Sequence, residues 1–315
     1  MRNPYKIERI LVPLDGSEYG LRALAWARAI AGEKATLLLL EITPVADEVR
    51  DFRGNVIGTR DEIAERYRDL ATKQLESARD TYLSNNENVE LLVSEGDPTE
   101  QIIWNADEHH ADLIVMSSHG RGTIGRFASG SVADRVMRHA PLPVTVVGPD
   151  TPSDENSEVL RIVAPVDESE LSRTSLPVTA ALAQLTDSEA FVVNVVSRSV
   201  TTFPAPQFDT MPVPEDVYKA YFEHDTDQSN KLVESSVQSL EATGTTGSGT
   251  SLQGSVVNQI EDVASPGDLI VIASHGRSGL PRWVLGSNAM KLVRSAKAPV
   301  TVVTREFLER AEEST

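Results

Sequence analysis

The sequence predicts an α/β protein of two tandem domains, each a doubly wound parallel sheet of five strands. A chain of 315 residues is long enough to bury two cores of ordinary size. The same ordered signals occur twice, about 155 residues apart, which is the length of one domain. Within each half, short apolar runs alternate with helical patterns. This alternation predicts a parallel sheet covered by helices on both faces.

Both halves begin and end with matching strands. The opening strands are Ile10-Leu11-Val12-Pro13-Leu14-Asp15 and Ile162-Val163-Ala164-Pro165-Val166-Asp167. The closing strands are Pro143-Val144-Thr145-Val146-Val147 and Pro299-Val300-Thr301-Val302-Val303. Apolar runs rich in β-branched residues are typical of buried strands, and a proline is tolerated at the first position of a strand.

The segments between these strands also have regular patterns. Residues 17–31 carry an apolar stripe at helical spacing, with Asp15 and Ser17 as candidate caps. The remaining predicted strands with clear boundaries are 37–42, 89–93 and 191–196. Each half therefore reads β-α-β-α-β-α-β-α-β, and the handedness of the crossovers favours a flavodoxin-like or related order.

Four segments read as connections. The polar stretch 150–158 is the predicted linker, which divides the chain into domains 1–149 and 159–315. Residues 44–60 and 197–215 are too long for tight connections, so they are either binding loops or plain surface loops. Residues 244–249 are predicted to be a flexible connection, without a phosphate role because the Gly-Lys-Ser/Thr ending of a P-loop is absent.

Composition excludes several classes of protein. The chain has no cysteine, so disulfides, thiolate metal sites and thiol nucleophiles are excluded. The formal net charge of −18 and the pI near 4.8 argue against a nucleic-acid partner. No apolar run approaches the roughly 18 residues of a membrane span, and residues 1–9 lack the apolar region of a signal peptide. We therefore expect a cytoplasmic protein without membrane insertion. Its acidic surface either serves solubility or, as we expect, is an adaptation to high salt.

Aromatic residues and the C-terminus carry no functional signal. Trp26, Trp104 and Trp283 lie in or beside apolar helical patterns and are expected to pack in the core or between domains. Residues 306–313 are mostly charged, which predicts a solvated tail or helix end.

One motif after the fourth strand carries the functional signal. The first half reads Ser117-Ser118-His119-Gly120, nine residues, then Gly130-Ser131. The second reads Ala273-Ser274-His275-Gly276, nine residues, then Gly286-Ser287. Glycine allows close approach of the backbone, and a Gly-Ser pair that opens a helix offers N–H groups and a hydroxyl to phosphate oxygens. The helices predicted to follow span 132–139 and 288–295.

These residues resemble the universal stress protein family, whose ATP-binding members carry Gly-x-x-Gly, nine residues and Gly-Ser/Thr after the fourth strand. The Pro-x-Asp that ends the first strand and the closing Pro-Val-Thr-Val-Val strand belong to the same resemblance, which covers nearly the whole chain. It implies a Rossmann-like fold of the adenine nucleotide alpha hydrolase type, with strand order 3-2-1-4-5. It further implies ATP with Mg²⁺ across the carboxyl ends of the strands, and an internal pseudo-dimer paired through the fifth strands.

Carried over by position, the resemblance assigns a nucleotide site in each half. Asp15 and Asp167 would face ribose or adenine, Ile42 and Val195 would hold adenine through the backbone, and Met116 and Ile272 would line the base pocket. The phosphates would meet Gly120, Gly130, Ser131, Gly276, Gly286 and Ser287. The other assigned residues are Pro13, Ser117, His119, Arg121, Val132, Pro165, Ala273, His275, Arg277 and Asn288.

Two departures from the family pattern bear on affinity. The first glycine of the signature is Ser117 in one half and Ala273 in the other, which adds a Cβ beside the expected ribose. The pair Gly16-Ser17 becomes Glu168-Ser169 in the second half, which places a carboxylate near an anionic ligand. The first half is therefore the predicted better site.

Other functional roles stay open at this point. Arg121 and Arg277 either clamp phosphate or pair with surface acids. His119 and His275 are either general bases or turn residues that bond nearby backbone. Spacing assigns no catalytic residue and no metal ligand.

The sequence thus predicts an ATP-binding stress-response or regulatory module. The alternatives are a slow ATPase or phosphotransfer enzyme, and an interaction scaffold that binds no nucleotide. A homodimer and a protein or transporter partner are compatible with each of them.

Overall fold

The computed structural model describes residues 5–83, 88–119, 130–152, 157–196, 215–274 and 286–304, together with 306, 307 and 310. For residues 170 and 215–225 it describes the backbone alone. The predicted site residues Gly120, Arg121, His275, Gly276 and Arg277 lie outside the described residues, as does Trp283.

The first half contains the following elements in chain order: β1 (Arg9–Leu14), α1 (Glu18–Ala31), β2 (Thr36–Thr43), β3 (Val49–Arg50), β4 (Val56–Gly58), α2 (Arg60–Tyr82), β5 (Val89–Glu95), α3 (Pro98–Glu108), β6 (Leu113–Ser117), α4 (Ser131–His139) and β7 (Val144–Val147). The second half contains β8 (Arg161–Pro165), α5 (Glu170–Thr186), β9 (Glu189–Val196), α6 (Glu215–Glu241), β10 (Gly247–Gln253), α7 (Val256–Val263), β11 (Asp268–Ala273), α8 (Ser287–Ser295) and β12 (Val300–Val303).

Ten of these strands form a single sheet in the order β10-β9-β8-β11-β12-β7-β6-β1-β2-β5. Each half contributes five parallel strands in the order 3-2-1-4-5, so the predicted fold class and strand order are confirmed. The flavodoxin-like order, in which the third strand lies between the first and the fourth, does not occur in either half. The halves meet through β7 and β12, which pair antiparallel.

The helices cover both faces of the sheet, and each covering core runs across both halves. On one face, Leu24 of α1 and Leu182 of α5 pack in the same cluster as Ile10 of β1. On the other face, Met137 of α4 and Leu292 of α8 pack in one cluster. Alternate residues of β1 and β2 enter the two clusters, as expected for strands buried on both sides.

Contacts beyond the sheet also connect the two halves. The indole Nε1 of Trp26 donates to the carbonyl oxygen of Pro152 at 2.9 Å, so this buried tryptophan holds the connecting segment against α1. Phe307 packs edge-on against Tyr5 with ring centroids 5.0 Å apart, and only 8% of Phe307 is exposed. Residues 306 and 307 are helical, which fits the predicted helix end, but the prediction of a solvated segment is wrong at Phe307, because this apolar residue packs against Tyr5 of the first half. The packing prediction is also wrong for Trp104, which is 54% exposed on α3.

Two of the predicted connections contain strands. Residues 44–60 include the antiparallel hairpin of β3 and β4. Residues 247–249 begin β10, so the prediction of a flexible connection through 249 is wrong. Glycine is used at Gly249 because α6 packs closely there, and a Cβ would lie 2.6 Å from Cγ1 of Val233. Among the described residues, no helix combines the length and the apolar character that a membrane span requires.

Candidate functional site

The sheet opens between β1 and β6 at the carboxyl ends of the strands. The ladder between these neighbours ends at Leu11 and Ile114, although β1 continues to Leu14 and β6 to Ser117. The second half opens in the same way between β8 and β11. In each half, the second and the fourth strand lie on opposite sides of the first strand. In the first half, β2 lies on one side of β1 and β6 on the other. Such topological switch points form ligand crevices in open α/β sheets.

Prolines occupy the diverging parts of the first strands. Pro13 lies opposite Leu40 of β2, and Pro165 lies opposite Val193 of β9, in both cases beyond the last pair formed with the fourth strand. A proline has no N–H to donate to a sheet ladder. The Pro-x-Asp pattern is thus a sequence signal for the place where the strands separate.

The residues expected around the base lie at the same edge. Pairing of β1 with β2 ends at Leu14 and Glu41, so Ile42 is the first residue of β2 beyond the end of β1. Ile42 is partly buried against the cluster that contains Met116, which is 6% exposed. In the second half, Val195 is likewise partly buried against the cluster of Ile272, which is 8% exposed. The structure therefore brings the predicted base-binding residues together, with Met116 and Ile272 mainly part of the core.

The segment after the fourth strand returns to the sheet at the glycine that opens the next helix. The amide of Gly130 donates to the carbonyl oxygen of Ser118 at 2.6 Å, and the amide of Gly286 donates to Ser274 at 2.6 Å. The expectation that these two glycine amides receive phosphate is wrong, because both already have a backbone acceptor. A Cβ on Gly130 would lie 3.0 Å from the carbonyl oxygen of Ser118, so glycine is required there by the close approach of two backbones.

Helix starts remain available beyond those glycines. α4 begins at Ser131 and α8 at Ser287, each after a glycine that provides no side-chain cap. The predicted phosphate-contacting residues Val132 and Asn288 occupy the second helical positions. The first amides of a helix have no acceptor within the helix, and the helix dipole concentrates positive potential there. An anion fits this arrangement in both halves.

The aspartates that follow the first strands organise the turn into the next helix. Asp15 Oδ1 accepts from the amide of Ser17 at 3.0 Å and from its hydroxyl at 2.5 Å. Ser17 in turn caps α1 by accepting from the amide of Gly20 at 3.2 Å. Asp167 and Ser169 repeat the arrangement. Both aspartates therefore have a structural role at this edge, in addition to any contact with ribose.

The two turns differ at a position that sequence reasoning missed. Gly20 in the first half corresponds to Ser172 in the second, whose Oγ accepts from the amide of Asp167 at 2.7 Å. Gly16 has a φ of +68°, in the left-handed region. Glu168, at the matching position of the second half, does not have a positive φ. The second turn is therefore braced by an extra hydroxyl and has a different backbone. Aligning the two halves residue by residue would have revealed the Gly20 and Ser172 difference.

His119 is held within its own turn. It is 7% exposed, and its Nδ1 lies 2.8 Å from Oγ of the buried Ser118. The hydroxyl of Ser117 donates to the carbonyl oxygen of His119 at 2.6 Å, and the imidazole lies 5.6 Å from the ring of Tyr19. These contacts favour the turn role over the role of general base for His119. Ala273 in the second half has no hydroxyl to make the corresponding bond.

Within the described ranges, no group of three or more His, Asp or Glu side chains is arranged to hold a metal ion.

Comparisons with known proteins agree with this architecture. The model of the universal stress protein family matches residues 6–148 and again 158–304. A universal stress protein of Thermus aquaticus, named for the QAH/OAS sulfhydrylase 3′ region, is 33% identical over 141 residues, which are 44% of this chain and 96% of that protein. The crystal structure of a universal stress protein from Archaeoglobus fulgidus DSM 4304 is 17% identical, with a TM-score of 0.62, and covers 94% of this chain and 98% of its own.

A further solved relative is a universal stress protein in complex with cAMP. It is 26% identical, covers 45% of this chain and 97% of its own, and has a TM-score of 0.32.

Proposed function

The chain belongs to the universal stress protein family, and from this premise we propose that it binds ATP in the crevice between β1 and β6. The observation that carries the proposal is the uncapped start of α4, which lies beside the point where the two strands separate. A triphosphate would accept hydrogen bonds from the amides that follow Gly130 and from the exposed hydroxyl of Ser131. Mg²⁺ would accompany the nucleotide and share its phosphate oxygens.

The first half is the proposed main site. Its turn after β1 has glycines at 16 and 20, so neither position adds a side chain, and a Cβ on Gly20 would lie only 3.2 Å from Oδ1 of Asp15. In the second half, Glu168 adds an exposed carboxylate, and Ser172 adds a hydroxyl that binds the amide of Asp167. Extra negative charge close to a triphosphate is unfavourable. We therefore expect one tight and one weak or absent site.

Paired substitutions at the helix starts test this proposal. Ser131→Asp adds a carboxylate at the first position of α4, and Ser287→Asp is the matched control in α8. An acidic residue in the first turn suits the helix dipole, so folding is preserved while phosphate is repelled. Calorimetric titration with Mg-ATP at high ionic strength should show at least about a tenfold loss of affinity in Ser131→Asp and little change in Ser287→Asp.

Two outcomes would overturn the proposal. The first is that the unmodified protein fails to bind Mg-ATP, which favours the interaction scaffold. The second is that the double variant, Ser131→Asp with Ser287→Asp, binds Mg-ATP as tightly as the unmodified protein does. Gly130→Val is a poor probe, because a Cβ at Gly130 already approaches the Ser118 carbonyl oxygen at 3.0 Å and the change perturbs the fold. Titration with cAMP in parallel shows whether the triphosphate is required.

In this proposal the protein binds ATP, and the bound nucleotide acts as a regulatory signal. Phosphoryl transfer requires a placed metal ligand and a group that orients the nucleophile. Phosphate release followed over hours distinguishes the enzyme class. Release that disappears in the double variant Ser131→Asp with Ser287→Asp would establish a slow ATPase, whereas release that persists in the double variant comes from a contaminant.

A further inference from the structure

Exposed apolar side chains are concentrated in one segment of the first half. Among the described residues, nine large apolar or aromatic residues are exposed, and seven of them lie between positions 45 and 70. This segment comprises the β3–β4 hairpin and the first part of α2. The most exposed members are Phe52 at 91%, Ile57 at 67% and Val45 at 60%. Scattered apolar residues are ordinary on a protein, whereas a cluster of them is typical of an interaction surface. We call these seven residues the hairpin surface.

The turn at the tip of the hairpin is held by its own hydrogen bonds. Oδ1 of Asp51 accepts from the amides of Arg53 at 2.8 Å and Asn55 at 2.9 Å. Its Oδ2 accepts from Nδ2 of Asn55 at 2.9 Å. The guanidinium carbon of Arg53 lies 5.1 Å from the centre of the Phe52 ring. A fixed turn therefore presents an aromatic side chain to solvent, and a pre-organised aromatic residue is well suited to anchor an interface.

The start of α2 provides an apolar helix face beside the hairpin. Residues 60–70 of this helix include no buried residue. Ile63, Tyr67 and Leu70 follow one another at spacings of four and three residues, so they share one side of the helix. Ile63 joins this side to the hairpin, since a Cβ on Gly58 of β4 would lie 3.2 Å from its Cδ1. The hairpin surface thus combines a protruding aromatic residue with an exposed apolar helix face.

The charges around this surface favour a second copy of the chain as the molecule that covers it. Positions 45–70 contain five arginines and seven acidic residues, which leaves a net charge of −2. An anionic membrane attracts a surface with net positive charge. In a twofold contact between two copies, by contrast, the arginines of one copy can meet the acids of the other.

The extent of the surface also suits a dimer. The exposed fractions of the seven residues correspond to roughly 700 Å² in each copy, close to the roughly 800 Å² that each partner buries in an interface of standard size. We propose that two copies of this chain associate through the hairpin surface, with Phe52 of each copy packed on Tyr67 and Leu70 of the other. This reciprocal contact covers the tip and the helix face together. It uses none of the residues assigned to the nucleotide site, so the inference goes beyond the proposed function.

Sedimentation equilibrium of the full chain without nucleotide tests the association. The unmodified protein should form a dimer between about 1 and 100 µM. Phe52→Ser should raise the dissociation constant at least about tenfold, because aromatic anchors supply much of the binding energy of an interface. Trp104→Ser is the matched control and should leave the dimer unchanged. Trp104 is 54% exposed, but its helix α3 packs on the other face of the sheet from α2.

Thermal unfolding separates loss of the dimer from loss of the fold. The Phe52 side chain is covered by the second copy alone, so the dilute monomers of Phe52→Ser and of the unmodified protein should unfold at the same temperature.

Cysteine cross-linking identifies the contact itself, because the chain has no cysteine of its own. An equimolar mixture of Phe52→Cys and Leu70→Cys should give a disulfide-linked dimer on mild oxidation. In the mixed dimer, one reciprocal contact stays native and the other brings the two thiols together. Phe52→Cys mixed with Trp104→Cys is the control and should remain unlinked.

Three results would overturn the inference. The first is an unmodified protein that is monomeric at every concentration, and flotation of that monomer with anionic vesicles would assign the surface to a membrane instead. The second is a dimer that Phe52→Ser leaves intact. The third is equal cross-linking of Phe52→Cys with Leu70→Cys and with Trp104→Cys.

Discussion

Thr145 of β7 and Thr301 of β12 lie directly opposite each other where the two halves meet, and their hydroxyl oxygens are 2.8 Å apart. Both residues are fully buried. Each is the middle residue of the same Pro-Val-Thr-Val-Val strand, so the repeat brings a residue against its own counterpart. This pair marks the local twofold relation between the halves and replaces two exposed sheet edges with a continuous sheet.

A double-mutant cycle at this pair should be strongly non-additive. Thr145→Val or Thr301→Val alone leaves a buried hydroxyl without its cross-strand partner and should lower the free energy of unfolding by about 1–3 kcal/mol. The double variant removes both hydroxyls at nearly constant shape and should be close to the unmodified protein. Urea unfolding of the four proteins measures the coupling, and additive effects of the two changes would contradict it.

The sequence predicted the features that depend on local pattern and on the repeat. Apolar runs located the strands, Ser17 identified the start of α1, and the duplicated closing strands led through the family resemblance to the β7–β12 pairing. Features set by contacts distant in sequence were missed. Nothing local distinguishes the exposed Trp104 from the buried Trp26, and the packing of Phe307 depends on Tyr5, which is about three hundred residues away.

For the candidate site, too, the sequence predicted local features and missed contacts that depend on the folded backbone. Spacing located the helix starts to within one residue, since starts at 132 and 288 were predicted and α4 and α8 begin at Ser131 and Ser287. It did not reveal that the amides of Gly130 and Gly286 are bound by the preceding turn, because the acceptors are carbonyl groups and every residue has one.

The carboxyl group of Asp112 should make stability depend on pH in a specific direction. Burial raises its pKa above the ordinary value of 3.8, against the lowering effect of hydrogen bonds from the amides of Glu8 and Arg9. Between 3.8 and the folded pKa, the folded state holds the proton more tightly than the unfolded state does, so stability falls as the pH rises through this window.

Comparison with Asp112→Asn isolates this contribution. The difference in free energy of unfolding, unmodified protein minus variant, should decrease as the pH rises above 3.8. Chemical unfolding at a series of pH values and constant ionic strength measures this difference. A difference that is constant or that grows with pH would show that burial does not dominate at Asp112.

Two apolar truncations in the first half should have very different effects. Leu75 of α2 is fully buried in the core, and Leu75→Ala should lower the free energy of unfolding by about 2–5 kcal/mol. Phe52, between β3 and β4, is 91% exposed, so Phe52→Ser should change it by less than about 0.5 kcal/mol. Thermal unfolding of the two variants checks the contrast. A large loss in Phe52→Ser would mean that the hairpin is covered in the folded protein.

Gly249 and Gly247 of β10 offer a matched test of how closely α6 packs on the sheet. A Cβ on Gly249 would lie 2.6 Å from Cγ1 of Val233 and 2.8 Å from the carbonyl oxygen of Val192, so helix or strand must move. A Cβ on Gly247 would have its nearest neighbour, Cγ1 of Val237, at 3.5 Å, which is ordinary contact.

Gly249→Ala should therefore lower the free energy of unfolding by about 1–3 kcal/mol, as expected for overpacking. Gly247→Ala should leave it within about 0.5 kcal/mol of the unmodified protein, and the reduced flexibility of the unfolded chain favours the alanine in both variants. Urea unfolding of the pair measures the difference. Because both changes add the same methyl group to the same strand, equal stability of the two variants would show that α6 lies farther from β10 at Gly249 than the structure places it.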